Sequence, residues 1–179
     1  MSDSLTPDVV GVSAHRRRIE GDVTGALGLT DEEWNILVRV PRWVVGAASA
    51  AHVDSAAKTR QEIENGFISV ANGRKLGNPI VSDIAGTTLK IFDQDVKQSG
   101  VDPSTEAGRD AIIEHAKAAW NVLRAKATPI DAAAYRRFLL NVCDDVITAV
   151  RADEHLGFGG VLIHPDEQRF RDRLSAAMH

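Results

Sequence analysis

The chain has 179 residues, of which 44% are hydrophobic and 26% charged, values typical of one globular domain with a substantial core. Its 21 basic and 25 acidic residues give a net charge of −4, which disfavours nucleic acid and anionic membranes as partners. The single cysteine, Cys143, excludes an internal disulfide and a cysteine-based zinc site. No apolar run approaches the roughly 18 residues of a membrane span, and no signal peptide is apparent. We therefore expect a cytoplasmic protein with no membrane partner.

The N-terminal region, residues 1–29, has no sustained hydrophobic periodicity and contains four glycines and a proline. Glycine and proline interrupt regular structure, so we predict an irregular or partly disordered arm here. A single helical domain is predicted over residues 30–179.

The first clear helix signal lies at Thr30, which forms a capping box with Glu33. Pro41 interrupts the pattern that follows, because proline lacks the N–H of a helix interior. We predict that Pro41 ends or kinks this helix near Val40 and opens the next one. That second helix is predicted to run from Trp43 to about Asn72.

The two tryptophans that flank Pro41 suggest a contact surface between copies of the chain. Tryptophan is enriched at interfaces, and small residues allow helices to approach closely. Closed twofold pairing is the commonest assembly, so we predict a homodimer. The alternative is that both tryptophans fill the core of a monomer. The predicted interface comprises Trp34, Trp43, Gly46, Ala47 and Ala50.

Polar residues replace the expected apolar ones in the middle of the predicted Trp43–Asn72 helix. They are Ser55, Thr59 and Glu62, with His52 and Asp54 nearby. Such a departure from the pattern more often marks a helix face turning to solvent or a break between two helices. It can also mark a functional site, here a polar pocket of a ligand-binding protein or enzyme formed by His52, Asp54, Thr59 and Glu62. If Glu62 is buried, it needs a partner or a proton.

Further helix starts carry a proline, which suits the first helical turn. Asn78 with Pro79 predicts one start, and Asp102 with Pro103 predicts another. Gly100 is predicted to end the helix that begins at Pro79.

The most regular signal is the helix that begins at Thr128, where Pro129 and Asp131 complete the N-terminal pattern. Its apolar residues recur at the three- and four-residue steps of one helical face, and Cys143 lies on that face as a core residue. Gly157 is predicted to stop this helix. The apolar face comprises Tyr135, Phe138, Leu139, Val142, Cys143, Val146, Ile147 and Val150.

The last predicted helix runs to about Met178, with His164 as N-cap, Pro165 at the first position and Glu167 at the third. No Glu-x-x-His, His-Glu-x-x-His, Gly-x-Ser-x-Gly or Gly-x-Gly-x-x-Gly pattern is found along the chain. We therefore favour a protein that is not an enzyme.

Two acidic patterns follow apolar helical runs: His52-Val53-Asp54 with Glu62 further on, and Arg151-Ala152-Asp153 with Glu167 further on. This arrangement resembles the tellurite-resistance TerB-like helical proteins. The resemblance implies an all-α fold and a divalent-metal site formed by Asp54, Glu62, Asp153 and Glu167.

The C-terminal third resembles a set of small, uncharacterised bacterial helical proteins. The residues that carry this likeness are the segment from Tyr135 to Leu140, the Gly157-Phe158-Gly159-Gly160 loop and Glu167. It implies a fold and no activity.

Together these features predict an all-α, single-domain bundle of five to seven helices. The leading functional hypothesis is a non-enzymatic interaction or scaffold protein without a cofactor. The alternatives are a divalent-cation-binding protein and a ligand binder or enzyme with a polar pocket around His52, Asp54 and Glu62.

Overall fold

The fold is known from a computed structural model, which describes residues 22–92, 101–149 and 163–179. Within these ranges the chain forms seven α-helices and one short 3-10 turn, and no strand. The predicted all-α bundle of five to seven helices is confirmed. The elements are α1 (Asp22–Leu27), α2 (Asp31–Ser49), α3 (Ala56–Asn72), the 3-10 turn (Gly73–Lys75), α4 (Pro79–Ile91), α5 (Glu106–Lys126), α6 (Pro129–Ile147) and α7 (Pro165–Ala177).

Three helices begin with a complete capping box, as their sequences predict. Thr30, Thr128 and His164 are the N-caps of α2, α6 and α7. In each, the cap side chain accepts a backbone N–H while the acidic residue at the third helical position accepts the N–H of the cap. These bonds satisfy two of the N–H groups that a helix start leaves free.

Helix α6 is the centre of the bundle, because each of α2, α3, α4, α5 and α7 packs against it. Its apolar face is buried, including Tyr135, Phe138 and Cys143, each at most 1% exposed. Burial raises the pKa of the Cys143 thiol well above its usual range. Cys143 is therefore the inert core residue that its place on the helix predicts.

Pro41 does not end a helix, which corrects the prediction made for Val40 and Trp43. Helix α2 continues through Pro41 from Asp31 to Ser49. Proline leaves the carbonyl four residues earlier, that of Leu37, without its helical donor. The buried Tyr135 hydroxyl of α6 donates to this Leu37 oxygen at 3.0 Å. The missing hydrogen bond is thus replaced from another helix.

The predicted helix from Trp43 to Asn72 is two helices, so the break suggested by the polar stretch is real. Helix α2 ends at Ser49, and Ser55 caps the start of α3 by accepting the Lys58 N–H at 3.4 Å. Serine and threonine are strong N-caps. His52 and Asp54 therefore lie in the connection between the two helices.

Gly66 allows α3 to lie close to its neighbours. A Cβ atom at this position would lie 2.6 Å from Val146 of α6 and 2.7 Å from Val45 of α2. Side chains do not approach so closely, so the crossing depends on glycine. It fixes the face of α3 that carries Glu62, one turn earlier, against the body of the protein.

Other boundaries differ in detail from the prediction. Helix α5 begins at Glu106, capped by Thr105, rather than at Pro103. Helix α4 ends at Ile91. Within the predicted irregular arm, Asp22–Leu27 is helical, while residues 1–21 lie outside the described part of the chain. Gly100, Val150 and Gly157 also lie outside it.

None of the described helices combines the length and the apolar character that crossing a membrane requires.

Candidate metal centre

Three chain segments meet at the candidate site: the α2–α3 connection, the first half of α3 and the start of α7. The connection carries His52 and Asp54, α3 carries Glu62, and α7 carries Asp166 and Glu167. Two local signals place them. Ser55 starts α3 directly after Asp54, and the capping box of α7 fixes Glu167 at the third helical position.

The carboxylates of Asp54, Glu62 and Glu167 form the inner part of the site, which we call the acidic cluster. One carboxylate oxygen from each lies within 4.8 Å of one from each of the others. Glu62 is 2% exposed, Glu167 is 7% exposed and Asp54 is half-buried. Glutamate is rarely buried this fully unless it is paired, so the arrangement needs a physical explanation.

One oxygen of the cluster lacks a donor. Glu62 Oε2 is buried and accepts no hydrogen bond from any residue that the structure describes. The Ser49 hydroxyl, also buried, lies near enough to lower the pKa of Glu62, but its placement falls short of hydrogen-bond geometry. A buried carboxylate without a donor is costly, and the sequence already indicated that a buried Glu62 would require a partner or a proton.

Burial governs the protonation of the cluster. Loss of hydration raises the pKa of Glu62 to about 7, and the negative charges of Asp54 and Glu167 act in the same direction, while Ser49 and Lys58 oppose them. Burial likewise raises the pKa of Glu167, against the hydrogen bond from the His164 backbone. Without a cation, the cluster therefore retains a proton near neutral pH.

Little protein charge balances these carboxylates. Lys58 Nζ lies 4.0 Å from Asp54 Oδ1, and its side chain is 44% exposed. An ion pair of this kind is weak because water screens it. Glu167 Oε2 accepts the His164 N–H at 2.9 Å, which stabilises one oxygen of one carboxylate. These contacts balance only part of the negative charge that the three carboxylates carry when ionised.

A second group of potential metal ligands adjoins the acidic cluster, on the α2–α3 connection and at the start of α7. The ring nitrogens of His52 and His164 and a carboxylate oxygen of Asp166 lie within 4.8 Å of one another, and all three residues are half-buried. The two imidazole rings stack with their centroids 3.5 Å apart. We call this group the histidine cluster.

The structure brings together most of the residues that the sequence proposed for a metal site. Asp54, Glu62 and Glu167 converge, whereas Asp153 lies outside the described residues. Of the polar pocket, His52 lies beside the acidic cluster, and Thr59 is half-buried on α3 without belonging to either cluster.

Sequence reasoning missed His164 and Asp166 as site residues. It interpreted His164 only as a helix cap, which it also is. The available signal was the repeated His-x-Asp spacing, at His52 with Asp54 and at His164 with Asp166. Both pairs are able to present a nitrogen and an oxygen ligand on one side of a turn.

Residues of the predicted dimer surface pack against other parts of the same chain. Ala47 is fully buried, and Gly46 lies opposite Pro103, which a Cβ atom there would contact at 3.8 Å. The Trp43 ring lies 5.0 Å from that of His115 on α5. Trp34 and Ala50 are half-buried. The close approach that small residues allow is thus made between α2 and the segment leading into α5.

Comparisons with known proteins give no further assignment. No protein-family model, no curated protein and no solved structure matches the chain. Neither the TerB-like resemblance nor the likeness carried by the Gly157–Gly160 loop is tested by them, and that loop lies outside the described residues.

Proposed function

We propose that this protein binds a divalent cation through the carboxylates of Asp54, Glu62 and Glu167. The observation that carries the proposal is Glu62 Oε2, which is buried, has no hydrogen-bond donor among the described residues and adjoins two further carboxylates. A divalent cation would offset both the mutual repulsion and the missing donor. Carboxylate oxygens are the preferred ligands of Ca²⁺, Mg²⁺ and Mn²⁺.

The site also links parts of the chain that are distant in sequence. Asp54 precedes α3, Glu62 lies on α3 and Glu167 lies on α7. A bound cation would tie the start of α7 to the α2–α3 region, so part of the binding free energy would appear as folding stability. A cation that binds only the folded state at 100 times its Kd would stabilise it by about 2.7 kcal/mol.

The test is isothermal titration calorimetry with Ca²⁺, Mg²⁺ and Mn²⁺. We expect at least one of them to bind with a Kd between about 10⁻⁷ and 10⁻³ M, the span of oxygen-ligand Ca²⁺ sites. Glu62→Gln keeps the shape of the side chain and removes its charge, and it should weaken binding at least tenfold. Glu64→Gln, at an exposed position on the same helix, is the matched control and should bind as the wild type does.

Either of two results would refute cation binding at this site. The first is the absence of heat at millimolar concentrations of all three ions. The second is equal affinity in the wild type and Glu62→Gln, since the ion would then lie elsewhere. Circular dichroism should accompany both variants to show that the helices are intact.

A second candidate is the non-enzymatic interaction protein that the sequence favoured, acting in the cytoplasm as a homodimer. The observation that supports it is a set of exposed apolar side chains on α3: Ile63 is 40% exposed, Phe67 39% and Ile68 55%. Contiguous apolar surface is typical of contact regions. Light scattering at micromolar protein tests the dimer, for which the mass should be twice the 19.3 kDa of one chain. A monomer mass at every concentration would contradict it.

A further inference from the structure

The histidine cluster differs in chemistry from the acidic cluster. It offers two imidazoles and one carboxylate, from His52, His164 and Asp166, where the acidic cluster offers oxygen alone. Two histidines and one carboxylate form a ligand set used for Zn²⁺ and for non-haem iron, with further positions left for water or substrate. Hard ions such as Mg²⁺ and Ca²⁺ prefer oxygen ligands.

The local arrangement of His164 and Asp166 supports a cation between them. His164 Nδ1 lies 3.3 Å from the Asp166 backbone nitrogen, whose N–H caps onto it. Asp166 Oδ2 lies 3.4 Å from the same ring nitrogen. The other oxygen, Oδ1, accepts a hydrogen bond from Arg169 Nη1 at 2.8 Å. A ring nitrogen and a carboxylate oxygen, both of them metal-ligating atoms, therefore lie side by side at the start of α7.

The separation of these atoms suits a metal ion. Zinc is bound by histidine nitrogen and carboxylate oxygen at about 2.0–2.2 Å, most often with tetrahedral geometry. Two ligands of a tetrahedron with bonds of about 2.1 Å lie about 3.4 Å apart. The observed distance of 3.4 Å between Nδ1 and Oδ2 equals this value. The His52 ring, stacked on that of His164, is close enough to supply the third ligand.

We propose that His52, His164 and Asp166 bind a divalent transition-metal ion such as Zn²⁺ or Co²⁺, at a site distinct from the acidic cluster. Binding requires the His164 ring to release the Asp166 N–H and both imidazole rings to rotate out of their stack, so that one nitrogen of each and an Asp166 oxygen point to the same ion. The proposal depends on side chains that the proposed function does not use. The two sites can therefore be tested separately.

The probe is Co²⁺ added to untagged protein, because its visible absorption is sensitive to nitrogen ligation and to coordination number. Wild-type protein should develop this absorption at about one ion per chain, and excess Zn²⁺ should remove it. His164→Asn tests the site without removing the helix cap, since asparagine is among the best N-caps. His52→Ala removes the second imidazole. Each should weaken Co²⁺ binding at least tenfold, as even the loss of a residue that supports a ligand costs about 10–100-fold.

Two control variants separate this site from other metal-binding positions. His179→Asn makes the same change at the exposed C-terminal residue, and should leave Co²⁺ binding unchanged. Glu62→Gln removes a carboxylate of the acidic cluster and should also leave the Co²⁺ absorption in place. Conversely, His164→Asn should leave the heat of Ca²⁺, Mg²⁺ or Mn²⁺ binding unchanged. If the acidic cluster bound no cation, the calorimetric titrations with Ca²⁺, Mg²⁺ and Mn²⁺ would show it, and the Co²⁺ titration would not be affected.

The outcomes that overturn the proposal are specific. One is the absence of Co²⁺ absorption in wild-type protein, which would leave the imidazole and carboxylate to share a proton instead. Another is absorption that persists with unchanged affinity in both His164→Asn and His52→Ala. A third is absorption that is lost in Glu62→Gln and kept in His164→Asn, which would place the ion in the acidic cluster.

Discussion

Two buried polar groups, Tyr135 and Glu62, show how differently this core treats its hydrogen-bonding atoms. The Tyr135 hydroxyl has no exposed surface and donates to the Leu37 carbonyl, which Pro41 deprives of its helical donor. Glu62 is almost as buried, yet one of its oxygens has no donor among the described residues. The first group is paired in good geometry within the chain, whereas the second has only the nearby Ser49 hydroxyl, which falls short of hydrogen-bond geometry.

This difference separates a structural role from a functional one. Both groups would cost several kcal/mol if left without a partner, and only Tyr135 avoids that cost within the protein. The neighbouring carboxylates of Asp54 and Glu167 increase the free-energy cost of a charged Glu62, since three carboxylates repel one another. A ligand or proton is therefore part of the physical account of this region and not of the Tyr135 region.

The largest expected effect concerns the charge of Glu62. Burial raises its pKa to about 7 in the folded state, from an ordinary value of 4.5. Below pH 4.5 both folded and unfolded chains carry the proton, and stability is undiminished. Between pH 4.5 and 7 the unfolded chain loses this proton while the folded chain keeps it, so the free energy of unfolding falls by about 2–3 kcal/mol and then levels off above pH 7. Glu62→Gln should therefore be more stable than the wild type by that amount at pH 8 in the presence of a chelator.

The measurement is urea unfolding of both proteins at pH 4.5 and pH 8. The difference between them should be small at the lower pH and large at the higher one. A saturating cation should narrow the difference at pH 8, because the wild type gains more binding free energy than Glu62→Gln. A Glu62→Gln protein that is less stable than the wild type at pH 8 without cations would show that Glu62 has a stabilising partner.

The next effect concerns the Tyr135 hydroxyl. Tyr135→Phe keeps the ring and removes the hydroxyl that donates to the Leu37 carbonyl in place of the missing N–H of Pro41. We expect a loss of about 1–3 kcal/mol, the cost of a buried acceptor left without a partner. Pairing this variant with Pro41→Ala tests the cause: alanine restores the helical donor, so Tyr135→Phe should cost less in that background. Equal costs in both backgrounds would contradict the compensation.

How well the sequence predicts a structural feature depends on how far apart in the chain the interacting residues lie. The caps at Thr30, Thr128 and His164 involve residues three positions apart, so the local sequence was enough to predict them. The continuity of α2 through Pro41 depends on Tyr135, almost one hundred residues later, and no local signal contains it. The rule that proline ends a helix was overridden by tertiary structure.

The site was predictable to the extent that its residues broke a pattern. Glu62 stood where a helix of that phase should be apolar, with Asp54 nearby, so both were proposed for a polar pocket. As metal ligands they were proposed on the TerB-like resemblance. Their burial and their meeting with Glu167 depend on how α3 and α7 pack, which periodicity does not specify. His164 was not proposed as a ligand, because its role as the N-cap of α7 already explained a polar residue at that position.

The smallest expected effect tests whether a buried hydroxyl matters when its acceptors have other donors. Thr88 is fully buried and its Oγ1 lies 2.7 Å from the Val38 carbonyl and 2.8 Å from that of Ile84. Its single hydrogen serves one of these oxygens at a time. By the α-helical pattern, both carbonyls also face an N–H four residues later, those of Arg42 and of Thr88 itself.

Thr88→Val should therefore cost less than about 1 kcal/mol, because it leaves no acceptor without a donor. This contrasts with Tyr135→Phe, although both changes remove a buried hydroxyl that donates to α2. Parallel urea unfolding of the two variants makes the comparison. If Thr88→Val proved as damaging as Tyr135→Phe, the Val38 carbonyl would lack its helical donor too, and the disturbance caused by Pro41 would extend over two carbonyls instead of one.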